Sequence, residues 1–362
     1  MAMSVLPPDW PGNFWAHWGI FVVIIFVFVM GFIMVALWFE RRAMGIMQAR
    51  LGPNRVGPFG LFQTVADTIK LLTKEDIIPA KGDKLVHWLA PVVAVAPVLM
   101  IFAVVPFQGG AILADLNIGI LYIVAISSVA TVGVFMAGWA SNNKYSLLGA
   151  MRLVASVVSY EIPVVLSIIG VVLLAGSLSM QQIVLAQDIP FILLQPLGFL
   201  LFFIGALAEI NRSPFDLLEA DSEIVAGFHT EYSGIKWSLL QMAEYSEALA
   251  VSAIVTTLFL GGWRGPVLPP WLWFLVKVGL VFFVMVWIRT TLPRVRIDQL
   301  MALAWKFLFP LALINLLITA VEILVWPAVS SWVLVMVNIA IMIVLVLLWS
   351  KLFKLGWGKV EV

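Results

Sequence analysis

Residues 208–223 contain a dense group of ionisable side chains, in the order AEINRSPFDLLEADSE. A single arginine, Arg212, offsets the charge of five carboxylates: Glu209, Asp216, Glu219, Asp221 and Glu223. Closely spaced like charges titrate as coupled groups, so such a run can hold and release protons. A charge run usually faces only water, but the interleaved apolar residues Phe215 and Ile224 predict partial burial here.

Three further acidic residues, Glu161, Glu244 and Glu247, stand inside or beside apolar stretches. Glu161 follows Tyr160 and is expected about eight residues, or roughly 12 Å, from the end of its helix. Glu244 precedes Glu247 by three positions, so both lie on one face of a helix. A carboxylate at membrane depth is costly and is by default a functional site that faces protein or water.

Lys277 and Glu322 are the other charges inside apolar stretches. We hypothesise a salt bridge between them, because pairing lessens the cost of burying either charge. The alternative is that each side chain extends separately to the membrane interface.

Apolar blocks separated by charged loops must position these groups. The chain is 63% hydrophobic and 11% charged, which predicts an integral membrane protein. A window of about 19 residues predicts an all-α fold of about nine transmembrane helices, with residues 1–362 forming one polytopic domain. The predicted spans are residues 17–38, 86–106, 118–140, 154–176, 191–208, 245–262, 272–290, 308–326 and 333–350.

Between the first two spans, the apolar spacing in residues 61–72 predicts an amphipathic helix. Such a helix can lie in the membrane interface or cover the mouth of a cavity. Nearly all of the 21 Lys and Arg residues fall in loops on one side of the predicted spans. The positive-inside rule then places the N-terminus outside and the C-terminus in the cytoplasm. No basic residue precedes the first span, so we expect no cleaved signal peptide.

Composition also excludes several kinds of site. The chain has no cysteine, so it can hold neither a disulfide nor a cysteine-ligated iron-sulfur cluster or zinc. Its three histidines are not placed as facing ligands of a membrane haem. No glycine-rich fingerprint for nicotinamide, flavin or ATP is present. We therefore expect no metal and no redox centre on this chain, and the net charge of +1 gives no indication of nucleic acid binding.

The loops on the basic side carry the remaining candidate residues. The first span closes with Glu40, Arg41 and Arg42 and is followed by RLGPNRVGP at residues 50–58 and KEDIIPA at residues 74–80. The last long loop contains Arg289, Arg294, Arg296 and Asp298. By composition alone, these are a charged helix end with a Gly/Pro turn, and a basic membrane anchor.

Taken together, these strings resemble the quinone-chamber membrane subunit of the proton-pumping NADH:quinone oxidoreductases, or respiratory complex I, from Glu40 to about Lys306. The resemblance implies a quinone chamber at Glu40, Arg41, Asp67, Arg289, Arg294, Arg296 and Asp298. It also implies a proton path through Glu161, Glu209, Arg212, Asp216, Glu219, Asp221, Glu223, Glu231 and Glu244. The chain departs from the family pattern in having Ser156 for glutamine, Ile210 for threonine, Asp221 for glutamate and Ile297 for tyrosine.

The family resemblance further implies that quinone is the substrate and that electrons come from partner subunits. Iron-sulfur subunits of a peripheral arm would dock on the cytoplasmic face, and small membrane subunits and antiporter-like subunits would adjoin it in a bacterial inner membrane. Two alternatives stay open. One is the equivalent subunit of a membrane-bound hydrogenase or of a ferredoxin- or F420-dependent relative. The other is a stand-alone ion-coupled transporter, although no internal repeat or broken helix is evident in the sequence.

Overall fold

The computed structural model describes residues 14–110, 112–217, 221–326 and 331–352, and within these ranges the chain is helical without a β-strand. The first half contains α1 (Phe14–Met47), α2 (Gln63–Thr73), α3 (Lys84–Ile101), α4 (Gly119–Ala140), α5 (Lys144–Ala175), α6 (Met180–Ala186) and α7 (Phe191–Leu194). The second half contains α8 (Pro196–Glu209), α9 (Asp221–Ile224), α10 (Gly234–Phe259), α11 (Pro270–Thr291), α12 (Ile297–Ala302), α13 (Phe309–Val325) and α14 (Ser331–Leu352). The predicted all-α class is confirmed.

Each predicted span overlaps helix in the structure, although α3 ends at Ile101, before the end of the predicted span 86–106. Within the described ranges, six helices are long and apolar enough to cross a membrane: residues 84–101, 119–140, 144–175, 270–291, 297–325 and 332–351. The last but one is continuous because a π-helical turn, Leu303–Leu308, joins α12 to α13. The helix α10 is long but carries Lys236, Glu244 and Glu247, which lower its hydropathy. A multi-pass membrane protein is thus supported, whereas nine spans and the orientation of the termini stay predictions.

The predicted span at residues 191–208 is not one continuous helix. It is divided into α7 and α8 at Gln195, whose backbone leaves the helical region at φ −128° and ψ 63°. Pro196 follows directly, and a proline disfavours helical geometry in the residue before it and has no N–H to donate. A broken apolar helix therefore exists here, contrary to the expectation from sequence.

Small residues allow the helices to pack closely. A Cβ on Gly133 of α4 would lie 2.5 Å from the Ala94 backbone nitrogen of α3, and one on Gly205 of α8 would lie 2.5 Å from Val164 Cγ2 of α5. Glycine at such positions lets membrane helices approach with their backbones nearly in contact. The pairs α3–α4 and α5–α8 are accordingly among the most extensive in the bundle.

Polar side chains fix where two of the long helices begin. Asp83 accepts hydrogen bonds from the backbone N–H groups of Leu85 and Val86 at the start of α3, and Asn143 accepts one from Tyr145 at the start of α5. These caps satisfy N–H groups that have no partner within the helix. At its other end, α5 stops at Gly176, whose φ of 66° suits glycine.

The hypothesised salt bridge between Lys277 and Glu322 is wrong. Lys277 Nζ instead donates to the carbonyl oxygens of Leu260, Gly262 and Arg264, at 2.6, 2.9 and 2.8 Å. Glu322 accepts a hydrogen bond of 3.1 Å from the Asn338 amide of α14. The carbonyls that follow α10 attract the ammonium group because they have no partners in the helix and carry partial negative charge.

Candidate functional site

A buried ion-pair network joins three separate parts of the chain. Arg212 Nη1 donates a hydrogen bond of 2.9 Å to Glu40 Oε2, and Arg289 Nη1 donates one to Glu40 Oε1. Glu40 is fully buried in α1, Arg212 is buried in the segment after α8, and Arg289 stands in the last turn of α11. Both oxygens of the carboxylate thus have charged partners, which offsets the cost of removing it from water.

The same arginine also reaches α10. Arg212 Nε lies 3.3 Å from Glu244 Oε1, and its guanidinium carbon lies 4.1 Å from the centre of the Tyr245 ring. Burial favours the neutral form of Arg212, but the carboxylates of Glu40 and Glu244 outweigh burial and hold its pKa above the ordinary value. Arg212 therefore stays charged and bridges α1 with α10.

Residues 210–217 are held against neighbouring segments. The backbone N–H of Val295 donates to the Pro214 carbonyl at 2.9 Å, and Arg294 Nη2 lies 3.2 Å from Asp216 Oδ2. On the other side, the Ser156 hydroxyl of α5 donates to Asn211 Oδ1 at 3.4 Å. The acidic segment is thus positioned between α5 and the basic segment that precedes α12.

The end of α1 binds both α2 and the segment that precedes it. Arg41 Nη1 lies 2.6 Å from Asp67 Oδ2, and Gln63 donates to the other oxygen of Asp67 at 3.2 Å. Burial would raise the pKa of Asp67, but the hydrogen bonds from Arg41 and Gln63 and the charge of Arg41 lower it below its usual value. Arg42 donates to the Phe59 carbonyl at 2.9 Å. The predicted amphipathic helix is confirmed as α2, and its place at the membrane interface stays a prediction.

The carboxylates meet at two cavities. The first has a volume of about 60 Å³ and is lined by acidic residues from the loop, α8 and α10, namely Asp216, Glu209, Glu244 and Glu247. His229 and apolar side chains of α3, α4 and α5 complete its wall. A cavity of this volume with several carboxyl groups in its wall has room for several water molecules.

The second cavity has a volume of about 40 Å³ and lies between α3, α4, α5, α8 and α10. Glu161 of α5 lines it, together with Glu209 and Glu247, which also line the first cavity. The Ser128 hydroxyl of α4 donates a hydrogen bond to Glu161 Oε1. The other residues that line the second cavity are apolar apart from Ser127. The linings of the two cavities therefore share a pair of carboxylates.

Two contacts connect the part of α5 next to Glu161 with residues 297–308, which follow the basic segment that precedes α12. The Tyr160 hydroxyl donates to the Leu300 carbonyl at 2.7 Å, and Trp305 Nε1 donates to the Ser159 hydroxyl at 3.2 Å. Trp305 belongs to the π-helical turn. A displacement of the segment 297–308 would therefore act directly on the part of α5 that carries Glu161.

Other predicted site residues lie away from the cavities. Glu223 pairs with Arg152 at 2.5 Å on the surface, and Glu231 accepts a hydrogen bond of 2.7 Å from Asn143. Arg296 and Asp298 are exposed, and neither forms an ion pair within the described ranges. Glu219 and the side chain of Asp221 lie outside the described residues.

Sequence reasoning did not assign to the site three residues that line or support the cavities. Ser128 gave no signal, because a serine in an apolar helix commonly bonds only to its own backbone. His229 is buried against the first cavity, and burial lowers its pKa to about 4. Glu247 was noted for its spacing from Glu244, and only the fold reveals that it lines both cavities.

Sequence comparisons extend across this whole site. The model of the protein family described as NADH dehydrogenase matches residues 20–320. A protein of Dehalococcoides mccartyi (strain CBDB1), named as one subunit of NADH-quinone oxidoreductase, is 62% identical over 350 residues, 97% of this chain and 99% of the relative. One of the same name from Bacillus mycoides (strain KBAB4) is 51% identical over 321 residues, 87% of this chain and 96% of the relative.

Proposed function

The chain belongs to the NADH dehydrogenase family, and from this premise we propose that it walls a quinone chamber and couples quinone reduction to proton translocation. Its relatives share one name, that of a particular subunit of NADH-quinone oxidoreductase, so the chain is a membrane subunit of that multisubunit enzyme. The observation that carries the proposal is the pair of cavities, lined by carboxylates, beside a buried ion-pair network. In this proposal, the protein lies in the inner membrane of a bacterium.

In this proposal, quinone enters from the lipid between α1, α2 and α10. Its head group reaches the residues near the end of α1 and the basic segment before α12. The pairs Arg41–Asp67 and Arg294–Asp216 are only partly buried, with 43% and 38% of the arginine side chains exposed. Such arginines are available to a polar head group while the carboxylates hold them in place.

Quinone reduction takes up two electrons and two protons to give quinol. The electrons come from iron-sulfur subunits docked on the cytoplasmic face, because this chain has no cysteine to ligate an iron-sulfur cluster of its own. The consumed protons leave a change of charge near Asp216 and Glu40. Arg212 contacts both Glu40 and Glu244, so this change is transmitted electrostatically to α10.

The carboxylates then pass protons along the cavities toward Glu161. Interleaved waters and carboxylates form a path in which each proton moves one step at a time. Among the described members of the predicted line, Glu223 is exposed and Glu231 partly exposed, so both can exchange protons with water. Antiporter-like subunits of the membrane arm receive the displacement of charge.

A stand-alone ion-coupled transporter remains the second candidate, and the break between α7 and α8 is a feature that such transporters share. Near full-length identity with proteins named as parts of an oxidoreductase favours the first proposal. The hydrogenase and the ferredoxin- or F420-dependent alternatives differ from the first proposal in their electron donor. Identification of the donor in the purified assembly therefore distinguishes them from it.

The proposal is tested by Glu161→Gln and Glu209→Gln in the reconstituted complex. We expect assembly and NADH oxidation by an artificial acceptor to persist, while quinone reduction coupled to pumping falls by about a hundred-fold. Asp188→Asn, which removes an exposed carboxylate on the α6–α7 segment, is the matched control and should have no effect. Undiminished pumping in both Gln variants would count against the proposal.

A further inference from the structure

Glu247 is the one acidic residue of the two cavities that the family motifs did not place. It stands one helical turn from Glu244 on α10, about 4.5 Å farther along the axis. The stripe of α10 that lines the first cavity consists of Leu240, Ala243, Glu244 and Glu247. The stripe that lines the second begins at Glu247 and continues through Ala250, Val251 and Ile254. Glu247 is thus the residue of α10 that lines both cavities.

The helix α8 has the same arrangement with Glu209. Ile210 and Asn211 line the first cavity, Phe202 and Ala206 line the second, and Glu209 lines both. Glu209 and Glu247 are the two residues common to the two linings. The shared part of the two linings therefore consists of one carboxylate from each of two helices.

The charge interactions give Glu247 an intermediate position. Glu244 interacts electrostatically with Arg212, Arg289 and Glu40 of the ion-pair network and with Asp216, which pairs with Arg294. Glu209 interacts with Glu161 across the second cavity. Glu247 interacts with both Glu209 and Glu244, and also with Arg212. The acidic groups therefore form an ordered series in which Glu247 links the network to the second cavity.

We propose that Glu247 is a proton-transfer residue that carries protons between the two cavities, an addition to the carboxylates of the family motif. In each transfer, an O–H bond forms on a Glu247 oxygen as one breaks on a water or carboxyl of the first cavity. The proton then leaves Glu247 for the second cavity, where Glu209 or Glu161 accepts it. No oxidant or reductant is required, because only the proton moves.

This inference rests on the proposed function and deepens it. The groups that face Glu247 are Asp216, His229 and Glu244 from the first cavity, Glu161 from the second, Glu209 from both and Arg212 from the ion-pair network. Apart from these groups and Ser127, the second cavity is apolar. Few groups can therefore carry protons to Glu161. A second carboxylate beside Glu209, namely Glu247, increases the rate of this transfer.

The test is Glu247→Gln in the assembled complex, with Glu247→Asp as the conservative variant and Asp188→Asn as the control. We expect Glu247→Gln to lower the coupled turnover by about ten-fold, less than the loss in Glu209→Gln because Glu209 still lines both cavities. Glu247→Asp should recover most of the rate, because aspartate still carries a proton. Oxidation of NADH by an artificial acceptor should be unchanged in all three.

Full activity of Glu247→Gln beside inactive Glu209→Gln and Glu161→Gln would overturn this inference and leave the proposed function standing. Full activity in all of these variants would instead reject the proposed function. A measurement on the unsubstituted complex covers the case in which the Gln variant does not assemble. Dicyclohexylcarbodiimide reacts with protonated carboxyls in apolar surroundings, so we expect Glu247 among the labelled peptides. Labelling of Glu209 or Glu244 without any at Glu247 would contradict the inference.

Discussion

Arg212 stands between Glu40 of α1 and Glu244 of α10, 2.9 Å from an oxygen of the first and 3.3 Å from an oxygen of the second. One guanidinium group therefore balances a carboxylate beside the predicted chamber and a carboxylate of the first cavity. Any change of charge near Glu40 alters the balance at Glu244 without a side chain having to cross the space between them.

Replacement of Glu40 by Gln should destabilise the protein strongly. The change would remove the carboxylate that now pairs with both the buried guanidinium of Arg212 and the partly buried one of Arg289, a loss of about 3–5 kcal/mol. The measurement is the midpoint of thermal unfolding, together with the amount of assembled complex. Glu75→Gln changes an exposed carboxylate and should leave both quantities unchanged. Equal midpoints for the two variants would contradict the assigned role of the network.

The close approach of α3 and α4 predicts opposite outcomes for two glycine substitutions. An alanine at Gly133 would bring Cβ within 2.5 Å of the Ala94 nitrogen, whereas at Gly279 of α11 nothing lies within 4 Å. We expect Gly133→Ala to cost about 1–3 kcal/mol through overpacking and Gly279→Ala to be neutral or slightly stabilising. Thermal unfolding of the two variants in the same detergent measures the difference. If both are neutral, the backbones of α3 and α4 are not in close contact at Gly133.

His229 predicts a loss of stability in mild acid. Its pKa is about 4 in the folded protein and 6.5 when exposed, so below pH 6.5 the unfolded chain binds a proton that the folded chain does not. Stability contributed by the neutral imidazole is therefore present above pH 6.5 and is lost as the pH falls toward 4, by on the order of 3 kcal/mol.

Substitution of His229 by Gln should make the stability of the protein depend less on pH between 4 and 7. The measurement is hydrogen exchange of residues 226–233 between pH 4 and 7, with rates corrected for the intrinsic effect of pH. An unchanged slope in the Gln variant would show that another group is responsible.

The three bonds of Lys277 to carbonyl oxygens predict that it secures the end of α10. Replacement by Met keeps the chain length but removes hydrogen bonds from a charged donor, which are worth about 1.5–3 kcal/mol where buried. We expect faster hydrogen exchange in residues 260–264, and Lys81→Met, at an exposed position, should not affect them. A protected segment in the Lys277 variant would mean that the turn is held by other contacts.

The helices were predictable because their apolar blocks are long and the charged loops between them are distinct. The break at Gln195 did not follow from hydropathy, because it lies inside an apolar run. The π-helical turn at Leu303–Leu308 did not either, because it contains Lys306 and lies mostly before the predicted span 308–326. The proline at position 196 was the available signal for the first. For the second, the sequence contains no comparable marker.

The candidate site was predicted in part. The motifs indicated Glu161, Glu209 and Glu244 as members of one line, and the cavities bring them together. The partner of Glu322 was not predictable, because helix order alone does not fix which side chains face each other. The hypothesis paired it with Lys277 of α11, whereas its hydrogen bond comes from Asn338 of α14. Similar depth in the membrane is a weaker constraint than rotation about the helix axis.

The attachment of α14 has a practical consequence for work with the isolated protein. Only 11% of its apolar window is buried within the chain, and side-chain hydrogen bonds contribute to holding it: Asn338 to the Leu194 carbonyl at 2.8 Å, and Trp349 to the Lys306 carbonyl at 2.9 Å. Lipid tails do not compete for such bonds, but water admitted by a short-chain detergent does. Solubilisation conditions should therefore decide whether this helix stays associated, and mild, long-chain detergents or nanodiscs are the appropriate medium for assays of the purified protein and its complex.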